Sequence, residues 1–259
     1  MQLSSSENGG TSTPNVLSVD YATTAFNDLT WEQIATLSDS NEFSNYYEVG
    51  ATKTFEYEGN TYTAEVIGVN TYNEGEITFM TKELLPTKYA MTASGYNTNG
   101  WPGSDLRTTL NTTIYNGLPE DLKTVITPKT LMYETSPNGS QDNIVMVSAT
   151  DNLWLPTMYE LAGNWMSANT FSYWVKVTEK VSQHQKIYES YLSITSTTNP
   201  ALIKTLNGTA NDWWLASTSL TSTDCFGSVT YSGDANTDDA MPNCAEELQG
   251  VPLCFVIKK

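Results

Sequence analysis

Few residues in this 259-residue chain have the types and spacing to do chemistry. His184 is the only histidine, so a nucleophilic triad or a histidine-based zinc site would have to use it. It lies in Ser-Gln-His-Gln-Lys, a polar stretch that reads as exposed. Cys225, Cys244 and Cys254 all fall near the C-terminus, an odd number that argues against a disulfide framework. Their spacings match neither a zinc ribbon nor a redox motif, so free buried thiols are expected, with one bridge as the alternative. Asp234, Asn236, Asp238 and Asp239 open an acidic loop with hard oxygens suited to calcium, or simply to water. Tyr96 and Tyr231, beside polar loops, have the flat apolar faces that stack on sugars. The 29 acids leave a glycosidase pair conceivable, but nothing singles out two of them. The expectation is no catalytic set and no metal, calcium at the acidic loop being the one cofactor considered, with Tyr96, Tyr231 and the loop acids as candidate ligand-binding residues.

Charge narrows the partners. Twelve basic residues against 29 acidic give a net charge of −17, which repels phosphate backbones and anionic membranes. Nucleic-acid binding is therefore not expected. No apolar run is long enough to span a bilayer, so membrane insertion is not expected either. The first residues lack the basic start and apolar core of a secretory signal, which suggests assembly inside a cell or a signal already removed.

The elements that must position these residues centre on residues 101–126. Leu106, Leu110 and Ile114 recur every four residues and form one helical stripe, with Ser104 as N-cap and Gly117 at the end. Pro119 starts a second short helix carrying Leu122, Val125 and Ile126. Arg107, the only arginine, reads as an anchor for a carboxylate or carbonyl. Residues 1–28 read as an arm, flexible or partner-ordered to about residue 15 and then extended over a partner or over the domain's own surface, and residues 29–259 as one domain. Thr30 and Gln33 form a capping box ahead of Trp31, Ile34 and Leu37. Residues 53–69 form a hairpin turning at Gly59-Asn60, and residues 77–80 a further strand. Residues 143–147 and 152–155 read as buried strands, and a helix begins at Pro156. Residues 163–200 give no clear pattern. Residues 212–217, with Trp213 and Trp214, and 226–231 read as strands, 234–249 as a polar loop, and 251–258 as the closing strand. Asn111, Asn138 and Asn207 head glycosylation sequons. Trp101, Leu106, Arg107, Leu110, Trp213 and Trp214 are expected to be structural. The fold class is α+β, with small mixed or antiparallel sheets braced by two helices and long irregular loops.

An ordered set of motifs carries a resemblance. It runs from Tyr47-x-x-Gly50 through Trp101-x-x-Ser104-x-Leu-Arg107-x-x-Leu-Asn111 and Leu118-Pro-x-x-Leu122. It continues with Asp151-x-Leu-Trp-Leu-Pro-Thr-x-x-Glu160, Trp213-Trp-Leu-Ala-Ser217 and Gly250-Val. Over about residues 30–259 the chain resembles a domain of unknown function common in gut Firmicutes and in structural proteins of their bacteriophages. The resemblance implies a C-type lectin-like fold, with neighbouring terminal strands and two helices bracing a small sheet. It also invites comparison with formylglycine-generating oxidases, but their Arg- and Gly-rich pattern is missing, and Cys254, in an alternating apolar strand, reads as packing.

The resemblance, the polar arm and the lack of a catalytic set together imply a non-enzymatic bacteriophage virion structural or decoration protein, of the head or a tail fibre. It would be carried at the virion surface in several copies or as a homo-oligomer. The arm would bind other virion proteins, and the lectin-like domain would adhere to a host-surface glycan or protein. A bacterial cell-surface or secreted adhesin or carbohydrate-binding module is the alternative. An oxidase or glycosidase is the second alternative.

Overall fold

The computed structural model describes residues 19–135, 137–138, 145–157, 160–161, 199–219, 222–234 and 243–259. The helical elements are α1 (Trp31–Asp39), α2 (Asp105–Thr109), α3 (Tyr115–Gly117) and α4 (Glu120–Lys123). The strands begin with β1 (Thr52–Tyr57), β2 (Asn60–Val69), β3 (Ile77–Thr81), β4 (Lys129–Thr135) and β5 (Val145–Asp151). They continue with β6 (Lys204–Leu206), β7 (Thr209–Asn211), β8 (Trp213–Thr218), β9 (Cys225–Val229), β10 (Asn243–Cys244) and β11 (Cys254–Ile257). The architecture is mixed α and β, with small antiparallel sheets and few helices. Among the described residues no helix is long and apolar enough to cross a membrane.

The closing strand ties the molecule together. β11 pairs with β3 to complete a sheet of order β1-β2-β3-β11, and all four of its residues are buried. Its other edge accepts main-chain bonds from Thr127 (2.9 Å) and Trp154 (3.1 Å). Cross-strand Phe79 and Phe255 stack at 5.2 Å, and Trp31 of α1 meets both rings edge-on. The capping box forms as expected, with Thr30 Oγ1 accepting from Gln33 N at 3.1 Å and Gln33 Oε1 from Thr30 N at 2.7 Å. Gly75 passes so close to α1 that a Cβ would lie 2.6 Å from the Ser38 carbonyl, at a φ of +82° that also favours glycine.

The helical brace is buried as its spacing predicts, with Leu106 at 1% exposure and Leu110 at 0%. Between α2 and α3 the helix takes one π turn over Leu110–Ile114. Thr109 and Thr112 hydroxyls bond carbonyls four residues back, and Asn111 Nδ2 bonds Arg107 O, so side chains compete for the acceptors of the α ladder. After α4, Val125 and Ile126 remain buried, Ile126 bridging to Ile257.

Several elements differ from the sequence expectation. The first hairpin turns at Glu58-Gly59, both with positive φ, one residue earlier than expected. Of the expected buried strand 143–147, residues 143–144 lie outside the described residues and 145–147 are not buried: among the described residues β5 pairs only with β4, which leaves Val145 48% and Val147 36% exposed. Residues 152–155 follow β5 as a buried turn whose Trp154 makes a single bridge to Cys254. Strands β4, β6, β7 and β10 carry no legible sequence pattern. Asn207-Gly208, notable in the sequence only as a sequon, is the positive-φ turn of the β6–β7 hairpin. Of the expected arm, residues 1–18 lie outside the described residues. Residues 19–28 pack on the domain: Phe26 is buried against Phe43 and Tyr47, and Asn27 accepts from Thr54 N at 2.8 Å. This part of the arm thus runs over the domain's own surface, one of the two expected courses.

Candidate functional site

The polar residues of the matched motifs are mostly spent inside the fold. Asp151, 1% exposed at its side chain, accepts from Arg107 Nε at 2.6 Å and from the Trp101 indole at 2.9 Å. Arg107 also donates to the carbonyls of Pro102 and Thr150. Burial lifts the Asp151 carboxyl above its ordinary value, while Trp101 and Arg107 hold it down. Asn111 closes the clamp, accepting from Asn152 N (2.7 Å) and Leu153 N (3.1 Å) and donating to Leu153 O (2.8 Å). Trp213 and Trp214, both 0% exposed, donate to the carbonyls of Leu202 and Tyr89. Leu106 and Leu110 are buried as well.

Two further buried cations are also held internally. Lys129 lies 2.6 Å from Glu76 and over the Tyr72 ring, and Tyr72 donates to Glu160, which reciprocates Thr157 as a helix cap. Lys204, lowered to about 8 by burial, donates to the Thr81 carbonyl beneath Trp213. A lysine of lowered pKa suits nucleophilic chemistry, but 2% exposure gives this one no face toward a substrate.

Unspent groups lie at the two ends of β9. Beyond its last residue, Tyr231 is 64% exposed and its N–H donates to Asp212 Oδ1 at 2.6 Å. Thr230 and Ser232 share a hydroxyl bond at 2.9 Å, and Ile203, 39% exposed, lies against Gly233. Asp234 does not extend into a solvated loop: it is buried, and its carbonyl accepts from Thr230 N at 2.9 Å to close the turn. That closure draws the residue down onto the strand end. Asn236, Asp238 and Asp239 lie outside the described residues, as does His184.

Before β9 begins, the Tyr96 loop docks on the β8–β9 connection and on the turn after β10. Thr92 N donates to Ala245 O at 3.0 Å, and Asn97 N to Thr223 O at 2.8 Å. The Asn97 amide, 1% exposed, donates to Ser222 O (3.0 Å) and Cys225 O (2.5 Å) and leaves its own Oδ1 buried without a partner. Tyr96 is 61% exposed beside it. Five strand residues, roughly 15 Å, separate this end from Tyr231, so the two tyrosines do not form one platform.

The same end gathers Asp224, Cys225 and Cys244, whose ligating atoms all lie within 4.8 Å of one another. Cys225 Sγ donates to Asp224 Oδ1 at 3.0 Å, and Ser222 also donates to that oxygen. These bonds pull Asp224 below the ordinary carboxylate range, while burial, then Asp224, pushes the Cys225 thiol up to about 12. The cysteines are free, as expected, yet their spacing gave no sign that two of them meet. Cys225 and Cys244 are far apart along the chain, and only the pairing of β9 with the two-residue β10 brings them together. Glu134, whose main-chain carbonyl lies by Gly100 and accepts from Thr218, is also unspent: its Oε1 is buried without a partner among the described residues, and burial raises its carboxyl to about 7.

A family model described as "Domain of unknown function (DUF6273)" matches residues 74–259. No curated protein and no solved structure matches the chain. The matched segment starts after β1 and β2, so residues outside it complete the sheet that holds β11.

Proposed function

The chain belongs to the DUF6273 family of domains of unknown function, and from that premise we propose that it is a non-enzymatic display protein of a bacteriophage particle. Its domain is a C-type lectin-like scaffold that adheres weakly to a host-surface glycan. The observation that carries this reading is the Tyr231 turn, where a tyrosine 64% exposed shares its turn with the Thr230–Ser232 hydroxyl pair and with Gly233, against which exposed Ile203 lies. An aromatic face flanked by hydrogen-bonding groups suits a sugar ring, which presents apolar C–H faces and an equatorial rim of hydroxyls. Support also comes from the contrast with Asp151, Glu76, Glu160, Lys129 and Lys204, whose charged groups are engaged within the fold. Residues 1–18 would attach the protein to the particle, with the copies borne on the virion surface.

Two experiments test this. Purified protein should bind a subset of immobilised bacterial surface polysaccharides, and Tyr231→Ala should lose that binding while melting like the parent. Binding to none, or equal binding by the variant, refutes the glycan face. Deleting residues 1–18, which leaves Phe26 and Asn27 in place, should abolish incorporation into particles; normal loading refutes the attachment role.

A further inference from the structure

The corner where β9 meets β10 has the donors of a metal centre. Cys225 and Cys244 face each other in register, and the neighbouring pair bonds through Ala245 N to Asp224 O at 2.7 Å. In an antiparallel ladder, hydrogen-bonded and non-hydrogen-bonded pairs alternate. The two cysteines therefore occupy a non-hydrogen-bonded pair, where side chains on one face come closest. Asp224 reaches the same point from the preceding residue, its Oδ1 3.0 Å from Cys225 Sγ.

We propose that Asp224, Cys225 and Cys244 bind one thiophilic divalent cation of the zinc type, with solvent completing a tetrahedral shell. Zinc–sulfur bonds of about 2.3 Å at the tetrahedral angle put two sulfurs about 3.8 Å apart, so donors already within 4.8 Å need only small side-chain rotations. Two thiols with one carboxylate select soft or borderline cations over calcium or magnesium, which prefer all-oxygen shells. Binding exchanges the two thiol protons for the cation, leaving one net negative charge on the site.

Independent observations favour a ligand over simple packing. Asn97 ties down the Ser222 and Cys225 carbonyls, so the backbone under the donors is fixed before anything binds, and its Oδ1 is buried without a partner among the described residues. Glu247 N fixes the Cys244 carbonyl at 2.8 Å. Cys254 shows what a packing cysteine looks like here: 0% exposed, in an apolar strand, bridged to Trp154. Cys225 instead donates a hydrogen bond to a carboxylate, and Cys244 is part-exposed, leaving the cation a route in.

The test is titration of the fully reduced chain with cobalt(II), then with zinc. One cobalt per chain should give a thiolate-to-cobalt charge-transfer band and intense tetrahedral ligand-field bands, displaced by zinc. Cys225→Ser and Cys244→Ser should each abolish the charge-transfer band, Asp224→Asn should weaken binding about tenfold or more, and Cys254→Ser should leave it unchanged. Melting curves without metal show that each variant is folded. Zinc should raise the melting temperature of the parent and not of Cys244→Ser. No cobalt band in folded, reduced protein overturns the proposal, as does a band that survives loss of either Cys225 or Cys244. A parent that closes a Cys225–Cys244 disulfide in air but takes up no metal when reduced also overturns it, making the pair a redox couple.

Discussion

Two aspartates, Asp151 and Asp224, each sit at an end of a strand and accept side-chain hydrogen bonds, and their neighbours give them opposite uses. Asp151 is closed in by Arg107 and the Trp101 indole, donors that do not give up a proton near neutral pH. Asp224 accepts from Ser222 and from a cysteine thiol, and the thiol's proton can be exchanged for a cation. A carboxylate facing a fixed charge is a fastener, and one facing thiols can become a ligand. Residue type alone does not distinguish them; the partners do.

The sharpest way to break that contrast is to remove the fastener. Asp151→Ala leaves the Arg107 Nε and Trp101 Nε1 donors without their acceptor inside the brace. Breaking a buried pair of this kind should cost about 3–4 kcal/mol, or roughly 10 °C in melting temperature for a chain of this size. Asp224→Ala, at a part-exposed position, should cost under about 1 kcal/mol in the metal-free protein. Equal losses in calorimetry would mean that both carboxylates are structural.

Asn97→Ala tests whether the thiol corner is preorganised. It removes the side-chain donor that the Ser222 and Cys225 carbonyls share, leaving Cys225 O with the Ser219 N–H, and the expected loss is about 2 kcal/mol. The freed connection should also expose Cys225, so its reaction with a thiol reagent should speed up while Cys254 stays inert. Unchanged Cys225 reactivity would show that Asn97 supports the fold and not the corner.

Glu134 gives a pH signature on the unspent side. Its carboxyl is raised from 4.5 to about 7, so between those values the folded state holds a proton that the unfolded state has released. Stability from this group is therefore full below the unfolded value and is lost as pH rises toward 7. Glu134→Gln should remove that loss, stabilising the protein at pH 8 by on the order of 1–2 kcal/mol, allowing for its partial exposure. Denaturant midpoints at pH 5 and pH 8 give the comparison: an equal effect at both would refute the burial of a neutral carboxyl.

The fasteners are legible in the sequence and the unspent corner is not, for a physical reason. Leu106 and Leu110 announce themselves through helical period, and a lone Arg107 among acids implies an anchor for a carboxylate or carbonyl, though not which one. Trp213 and Trp214 sit in an apolar run of strand length. The Asp224–Cys225–Cys244 meeting depends on the register of a two-residue strand, too short to carry a period. Strand β5 departs from expectation because β-branched residues mark a strand without saying whether a second sheet covers it. Tyr231 is betrayed by its polar neighbours, but Asp234 is not a loop residue because the turn from Thr230 folds it back.

Among the tryptophans, Trp213 donates its indole N–H to Leu202 O at 2.9 Å, whereas the Trp154 N–H is buried without a partner. Both rings are 0% exposed, so replacement by Phe leaves comparable voids. Trp213→Phe should therefore cost about 1 kcal/mol more than Trp154→Phe, the net worth of one buried hydrogen bond plus the stranded carbonyl. Equal costs in chemical denaturation would mean that Trp154 Nε1 has an acceptor after all.

The smallest effect on stability is expected where the largest effect on binding is proposed. Tyr231 projects from its turn, and its backbone N–H is bonded to Asp212. Tyr231→Ala keeps that bond and empties no core space, so stability should shift by no more than about 0.5 kcal/mol. Tyr96→Ala, at a side chain similarly exposed, should be as neutral for stability, but its loop docks at the thiol corner at the other end of β9. Polysaccharide binding should therefore fall with Tyr231→Ala and persist with Tyr96→Ala. If both variants lose binding, the ligand spans the roughly 15 Å between the ends of the strand, and the two unspent regions act as one surface.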